Sequence, residues 1–152
     1  MMLKIEFDGS FDMLQFVQAA SDQVCRCVGF DQDAQEAIEL AIRESVINAI
    51  KHGNRNDAGK HVFVEFSTER VHEDAIQLTI CVRDEGDGFD PQSIPDPLAE
   101  ENLLKSSGRG ILLMRTFMDD VEIRNVPEGG VEIRMTKRVP SCGTASIPAP
   151  EL

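Results

Sequence analysis

Two polar residues one helical turn apart are the first pair in this sequence that could do chemistry. Glu44 and Asn48 lie in the run Arg-Glu-Ser-Val-Ile-Asn-Ala-Ile-Lys-His-Gly, and a spacing of four places both side chains on one face of a helix. The charged residues Glu36, Glu39 and Arg43 share another side of that helix, which indicates that the pair points toward the body of the protein. A buried carboxylate and amide need partners or a polar cavity, so the pair is either a satisfied core contact or part of a site.

A second candidate segment, Asp-Glu-Gly-Asp-Gly, begins at Asp84 directly after a predicted strand. Gly86 and Gly88 would allow a ligand to approach the backbone closely. An aspartate at a strand end, held in a pocket, can accept a hydrogen bond from an amine. A simple turn is the alternative, because Asp-Gly is a common hairpin signal. A calcium loop is disfavoured because Gly86 occupies the third position of its ligand frame.

The third candidate segment is the glycine-rich run Ser-Ser-Gly-Arg-Gly, which leads into a predicted helix at Gly108. The start of a helix offers unpaired N–H groups and the positive end of the helix dipole, which suits phosphate. Alternatively, Ser107 only caps the helix. The run is not a Walker A loop, because no Gly-Lys-Ser/Thr follows it. It is not a Rossmann fingerprint either, because no strand immediately precedes it.

The hydrophobic pattern predicts the elements that must position these three segments. Apolar residues alternate with polar ones in the predicted strands and recur every three or four residues in the predicted helices. Gly29 and Gly53 would stop the first two helices, and Asp31 or Asp33 could cap the second. The predicted strands cover residues 2–7, 61–68, 75–83, 120–125 and 130–138, and the predicted helices cover about 10–28, 31–52 and 108–118.

The order β-α-α-β-β-loop-α-β-β is typical of an α+β protein. We expect a two-layer α/β sandwich, with a mixed, mostly antiparallel sheet and three helices on one face. The folded domain should span residues 1–138, followed by a disordered tail over 139–152 with a composition typical of such tails. The aperiodic stretch 84–107 is a long loop of a kind that is usually functional or disordered.

Composition and charge exclude several classes of protein. The 152 residues suit one domain. Fifteen basic and 27 acidic residues give a net charge of −12, so the surface repels phosphate backbones and anionic lipids, and we expect neither direct nucleic-acid binding nor membrane binding. The charged, alternating start of the chain is unlike a signal peptide. We therefore expect a cytoplasmic protein with its four cysteines as free thiols.

In this order the three segments resemble the motifs of the nucleotide-binding (Bergerat) fold of the gyrase, Hsp90, histidine kinase and MutL superfamily. The Glu44 and Asn48 helix resembles the N box, and the segments at Asp84 and Gly108 resemble the two glycine boxes. Within that superfamily the chain resembles the anti-sigma factor serine/threonine kinases of the RsbW and SpoIIAB type. The run from Arg43 to Gly53 and the run Ser-Gly-Arg-Gly-Ile-Leu-Leu-Met carry this resemblance, which covers about residues 3–138.

The resemblance implies a role for each of these residues. Asn48 would coordinate a Mg²⁺ that bridges the ATP phosphates, and Glu44 would be the general base that takes a proton from a Ser or Thr hydroxyl or from water. Asp84 would accept a hydrogen bond from the adenine amine. Residues 89–107 would form the ATP lid. The implied ATP-binding residues are Asn48, Asp84, Gly86, Gly88, Ser107, Gly108, Arg109 and Gly110.

The sequence departs from the family pattern after the glycine that leads into the final strand. Many relatives carry Thr there, where its hydroxyl can reach the adenine site. In this chain Gly130 is followed by Val131. Loss of one such hydrogen bond costs only about 1 kcal/mol, so we expect ATP binding to survive.

The function implied by the resemblance is an ATP-dependent kinase that phosphorylates an anti-anti-sigma protein with a STAS-type domain and that also sequesters a sigma factor. Two other functions stay open at this point. One is an ATP-switched binding module without phosphotransfer, and the other is a stand-alone histidine-kinase catalytic domain. Intact Glu44 and Asn48 favour an active catalyst over the module. The sequence leaves homodimer formation open.

Overall fold

The computed structural model describes residues 1–88 and 106–140, which form five strands and three α-helices. A short π-helical turn follows the second helix. The elements in chain order are β1 (Met2–Asp8), α1 (Asp12–Val28), α2 (Gln32–Asn48), the π-helical turn (Ala49–Gly53), β2 (His61–His72), β3 (Ala75–Asp84), α3 (Ser106–Phe117), β4 (Asp120–Asn125) and β5 (Val131–Pro140).

The five strands form one sheet in the order β1-β2-β3-β5-β4, and all four neighbouring pairs are antiparallel. The central strand is β3, which pairs with β2 on one side and with β5 on the other. Its last residue, Asp84, lies opposite Val62 at the end of the β2–β3 ladder. The second candidate segment therefore leaves the sheet from the end of its central strand.

The core lies between one face of this sheet and the helices. Alternate residues of β2 and β3 point to that face, as the two-residue period of a strand requires, and they are fully buried there. Helices α1 and α2 cover them with apolar residues spaced three or four apart. The largest fully buried side chains are Val17, Ile38, Ile42, Val46, Ile50, Val62, Val64, Phe66, Leu78, Ile80, Met114 and Met135.

The ends of the first two helices follow the expected signals. Gly29 ends α1 with a φ of 94°, and its N–H donates to the Cys25 carbonyl at 3.0 Å, a conformation that favours glycine. Asp31 caps α2, because its side chain accepts a hydrogen bond from the Ala34 N–H at 2.8 Å. Of the two aspartates that could have capped this helix, Asp31 is therefore the one that does so.

The predicted α+β sandwich is confirmed, and its sheet is antiparallel at every described pairing. The second helix differs from the prediction at its end, because regular α-helix stops at Asn48 and a wider π-helical turn continues to Gly53. In that turn the Asn54 N–H donates to the Ala49 carbonyl, five residues back, at 2.8 Å. The extra residue per turn changes where the segment after Asn48 points.

Further boundaries differ from the sequence-based expectation, and the largest difference is at β2, which runs to His72, four residues beyond its expected end. Helix α3 begins at Ser106, so Ser107 lies inside the helix and is not its N-cap. Strand β5 runs to Pro140 because it pairs with β3 as far as Ala75, two residues beyond the expected domain boundary. Residues 141–152 of the expected tail, and residues 89–105 of the expected lid, lie outside the described residues. No helix within the described ranges is long and apolar enough to cross a membrane.

Candidate active site

Asp84 is a buried carboxylate, with 4% of its surface exposed. Its Oδ1 accepts two main-chain hydrogen bonds, from the N–H of Gly86 at 2.9 Å and from the N–H of Val131 at 3.1 Å. Both of these donors reach the same oxygen. Oδ2 therefore keeps the capacity to accept a hydrogen bond from a ligand.

Three glycines allow distant parts of the chain to close around this carboxylate. A Cβ atom on Gly53 would overlap Oδ2 of Asp84, and one on Gly130 would overlap the Asp84 carbonyl oxygen. A Cβ on Gly86 would overlap the Gly53 carbonyl oxygen. Because a packed interior does not tolerate such overlaps without displacement, all three positions require glycine if Asp84 is to stay in place.

Burial raises the pKa of the Asp84 carboxyl above its usual range, because removal of water disfavours the charged form. The hydrogen bonds from Gly86 and Val131 and the positive charge of Lys60 act in the opposite direction and offset part of this effect. The carboxylate is therefore held by main-chain dipoles more than by a cationic partner.

Glu44 and Asn48 lie on α2 with half-buried side chains, as their predicted position on the helix face requires. Helix α3 packs over them at Gly110. A Cβ on Gly110 would lie 2.9 Å from Oε2 of Glu44 and 3.4 Å from Nδ2 of Asn48. The absence of a side chain at Gly110 therefore lets the start of α3 approach both polar groups.

Helix α2 and its π-helical turn connect the two halves of the site. Glu44 and Asn48 contact α3 at one end, and Gly53 contacts Asp84 five residues after Asn48. The structure thus brings the first predicted motif into contact with each of the other two. Gly110 and Gly53 are the points of contact.

The remaining predicted residues lie at the edges of this arrangement. Ser107 and Gly108 lie at the start of the described part of α3, the end of a helix that suits an anion. Arg109 is exposed and has an interaction partner. Gly88 has a φ of 82°, and a Cβ there would lie 2.7 Å from the Asn125 side-chain oxygen.

Comparison with known proteins shows the family of this chain. The family model for the histidine kinase-like ATPase domain matches residues 12–137. The chain belongs to the histidine kinase-like ATPase family. The matched range contains every predicted site residue of the three motifs.

Several relatives are similar to this chain over about 70% of their length. The serine-protein kinase RsbW of Bacillus subtilis is 34% identical over 116 residues, which are 72% of this chain and 68% of that protein. The anti-sigma F factor of Oceanobacillus iheyensis is 35% identical over 109 residues, 70% of this chain and 71% of that protein. The anti-sigma F factor of Bacillus subtilis is 36% identical over the same share of each chain.

Several residues around Asp84 make contacts that the sequence pattern does not predict. The pattern predicts Gly53 only as a helix stop and assigns nothing to Asn54, yet Asn54 is 1% exposed. Gly130 lies against the Asp84 carbonyl oxygen. At Val131 the sequence indicates only the loss of a hydroxyl. Its main-chain N–H nevertheless bonds to Asp84, and this contact does not depend on the side chain at that position.

Replacement of Asp84 by Asn tests how the fold affects this charge. Folding raises the pKa of Asp84. At a pH between the unfolded-state and folded-state pKa values, the folded protein therefore binds more protons than the unfolded chain. Ionisation of Asp84 thus destabilises the fold as the pH rises. Asp84→Asn cannot ionise, and its amide oxygen can still accept both main-chain hydrogen bonds. The free energy of unfolding of the variant should therefore rise relative to the wild type as the pH rises through and above the ordinary titration range of an aspartate.

Urea unfolding of both proteins at several pH values measures this difference, and groups common to both cancel. If the free energy of unfolding of the variant fell relative to the wild type as the pH rises, the folded protein would stabilise the ionised carboxylate.

Proposed function

We propose that this chain is an ATP-dependent protein serine/threonine kinase that phosphorylates an anti-anti-sigma protein with a STAS-type domain and acts as an anti-sigma factor toward a sigma factor. One observation carries the proposal: α2 and its π-helical turn connect the Glu44 and Asn48 pair to the buried Asp84 carboxylate. Relatives with about one third of their residues identical are named as a serine-protein kinase and as anti-sigma factors, which supports this choice.

The Asp84 half of the site fits an adenine base. Oδ2 can accept from an exocyclic amine, while Oδ1 is held by two main-chain N–H groups. Guanine presents a carbonyl oxygen where adenine presents this amine, and an oxygen facing the carboxylate would be repelled. Glycines at 53, 86 and 130 keep side chains away from the carboxylate. We therefore assign Asp84 to recognition of adenine, with Gly86 and Gly88 at the nucleotide.

The Asn48 half of the site fits a magnesium-bound triphosphate. Mg²⁺ is commonly held by one or two protein oxygens together with substrate phosphates and water. The ligand that we assign on this chain is the side-chain oxygen of Asn48, the residue that the family resemblance implies for this role. The first-turn amides at Ser107 and Gly108 and the charge of Arg109 would face the phosphates.

Glu44 is positioned for the proton transfer that the reaction requires. When bound, ATP supplies the γ-phosphoryl group and Mg²⁺ neutralises charge on its oxygens. The protein must orient the acceptor hydroxyl and accept its proton as the new P–O bond forms and the bond from the γ-phosphorus to the departing ADP breaks. Glu44 is one helical turn from Asn48 and shares its contact with Gly110, so its carboxylate can take the proton of a Ser or Thr hydroxyl beside the metal.

The partners follow from this proposal rather than from any contact in the molecule. The phosphate acceptor would be a Ser or Thr of the STAS-type protein, and the second partner would be a sigma factor, which places the protein in the cytoplasm. A direct test is to mix the purified chain with a purified STAS-type protein from the same organism and with Mg-ATP. Mass spectrometry should then detect phosphoserine or phosphothreonine.

Asn48→Ala tests the assigned metal ligand. Without the amide oxygen, the variant should lose most of the increase in ATP affinity that Mg²⁺ gives the wild type. In EDTA the two proteins should bind ATP equally, which provides an internal control for folding. Calorimetric titration with ATP, with and without Mg²⁺, measures both quantities. Full Mg²⁺ dependence in the variant would remove Asn48 from the metal site.

Asp84→Asn tests recognition of the base. The variant presents an amide N–H₂ toward the adenine amine, so Mg-ATP affinity should fall by roughly 1–3 kcal/mol, the usual penalty for a mispaired buried polar group. Preference for ATP over GTP should fall with it. Asp87→Asn is the matched control, because Asp87 is 74% exposed and pairs only loosely with Arg55 at 3.8 Å. Equal discrimination in Asp84→Asn and wild type would contradict the assignment.

Glu44→Gln tests the chemical step. Gln keeps the shape of the side chain but cannot accept the proton, so phosphotransfer should be at least about 10²-fold slower while Mg-ATP still binds. Glu39→Gln is the matched control, because Glu39 is exposed on the same helix. Single-turnover transfer to the STAS-type protein measures the rate. A wild-type rate in Glu44→Gln would remove Glu44 as the general base. An absence of transfer by the wild type would favour the ATP-switched binding module over the kinase.

A further inference from the structure

The buried side-chain amide of Asn54 lies beside the site, and none of the proposed roles involves it. Its side chain is almost fully buried although it lies in the polar segment between the π-helical turn and β2. Oδ1 accepts a hydrogen bond from the Glu85 N–H at 2.8 Å, and Nδ2 donates to the His61 carbonyl oxygen at 3.0 Å. The main-chain N–H of Asn54 donates to Ala49 at 2.8 Å. Such a satisfied buried amide fixes the segments that it joins.

The Glu85 side chain closes these contacts into a ring. Its Oε1 accepts a hydrogen bond from the main-chain N–H of His61 at 2.6 Å. Both main-chain groups of His61 are therefore bonded by side chains, one from Glu85 and one from Asn54. The regular β2–β3 ladder ends one position earlier, where Val62 lies opposite Asp84. The ring thus extends the connection between the two strands past the last ladder pair.

This ring acts on the peptide bond that directly follows Asp84. The main-chain N–H of Glu85 donates to Oδ1 of Asn54, and this hydrogen bond fixes the peptide plane between Asp84 and Glu85. The residue before Asn54 is Gly53, which lies against Oδ2 of Asp84. One dipeptide therefore both limits the space beside the carboxylate and holds the backbone that carries it.

We propose that Asn54 is a positioning residue for base recognition, which holds the Asp84 carboxylate in the orientation that adenine requires. This inference rests on the proposed function, because it assumes that Asp84 reads the adenine amine. A hydrogen bond is sensitive to small displacements of its acceptor. Loss of the ring would let the end of β3 shift and would weaken the bond to adenine, whereas contacts to the phosphates lie on α2 and α3 and would be retained.

The experiment compares Mg-ATP and Mg-GTP affinity in Asn54→Ala and in the wild type by calorimetric titration. We expect the dissociation constant for Mg-ATP to rise by about tenfold, the equivalent of one hydrogen bond, and that for Mg-GTP to stay unchanged. The preference for ATP should fall by the same factor. A residue that only stabilises the fold would lower the melting temperature and leave the preference of the folded fraction intact.

Variants of the other ring members provide matched controls. Glu85→Ala removes the acceptor for the His61 N–H and should lower the preference for ATP, whereas Glu85→Gln keeps an acceptor oxygen and should retain it. His61→Ala should also retain the preference, because His61 contributes only main-chain groups to the ring. The imidazole itself bonds to Glu6 at the exposed edge of the sheet, with 2.7 Å between Nδ1 and Oε1.

The outcomes separate this inference from the proposed function. A wild-type protein without preference for ATP over GTP would overturn the assignment of Asp84 and, with it, this inference. A wild-type preference that persists in both Asn54→Ala and Glu85→Ala would overturn the inference alone. If Asn54→Ala fails to fold, Glu85→Ala and Glu85→Gln provide the test. A preference for ATP that is lost in Glu85→Ala and retained in Glu85→Gln supports the ring. An equal preference for ATP in both variants contradicts it.

Discussion

The burial of the Asp84 carboxylate is the constraint on which the rest of the site depends. An ionised carboxylate in a packed interior is unfavourable unless polar groups compensate for the lost water. Here the compensation comes from the main-chain N–H groups of Gly86 and Val131, so the start of β5 must lie against the end of β3. Gly53 and Gly130 follow from the same requirement, because a side chain at either position would occupy the space of Asp84 itself.

The π-helical turn after Asn48 explains how one helix can serve two regions of the site. In a regular α-helix each residue advances by about 100° around the axis, so one residue more or fewer in the turn would rotate the following segment away from its present contacts. The wider turn closes through the Asn54 N–H and the Ala49 carbonyl and places Gly53 against Asp84. Widened turns of this kind are frequent at functional sites, and here the turn couples the position of Asn48 to that of the buried carboxylate.

The sequence was sufficient for features that depend on local pattern. The periodicity predicted every described strand and helix, and the spacing of Glu44 and Asn48 predicted that they share a face. It was insufficient for Gly53, Gly130 and Asn54, because their importance arises from close approach between segments far apart in the chain. Asn54 in particular lies in a run of polar residues whose composition indicates exposure, and only the tertiary contacts with Glu85 and His61 explain its burial.

The acidic character of the chain, with a net charge of −12, has a consequence for how it would hold a nucleotide. A triphosphate and the Glu44 carboxylate are both negative, and their repulsion at close range would oppose binding. In the proposed site the uncharged adenine would face the buried carboxylate Asp84, whereas helix-terminal N–H groups and Arg109 would face the phosphates. A metal held by Asn48 would supply positive charge that offsets the repulsion between Glu44 and the phosphates. The residue that holds the metal and the residue that accepts the proton must therefore lie close together, which their spacing of four on α2 provides.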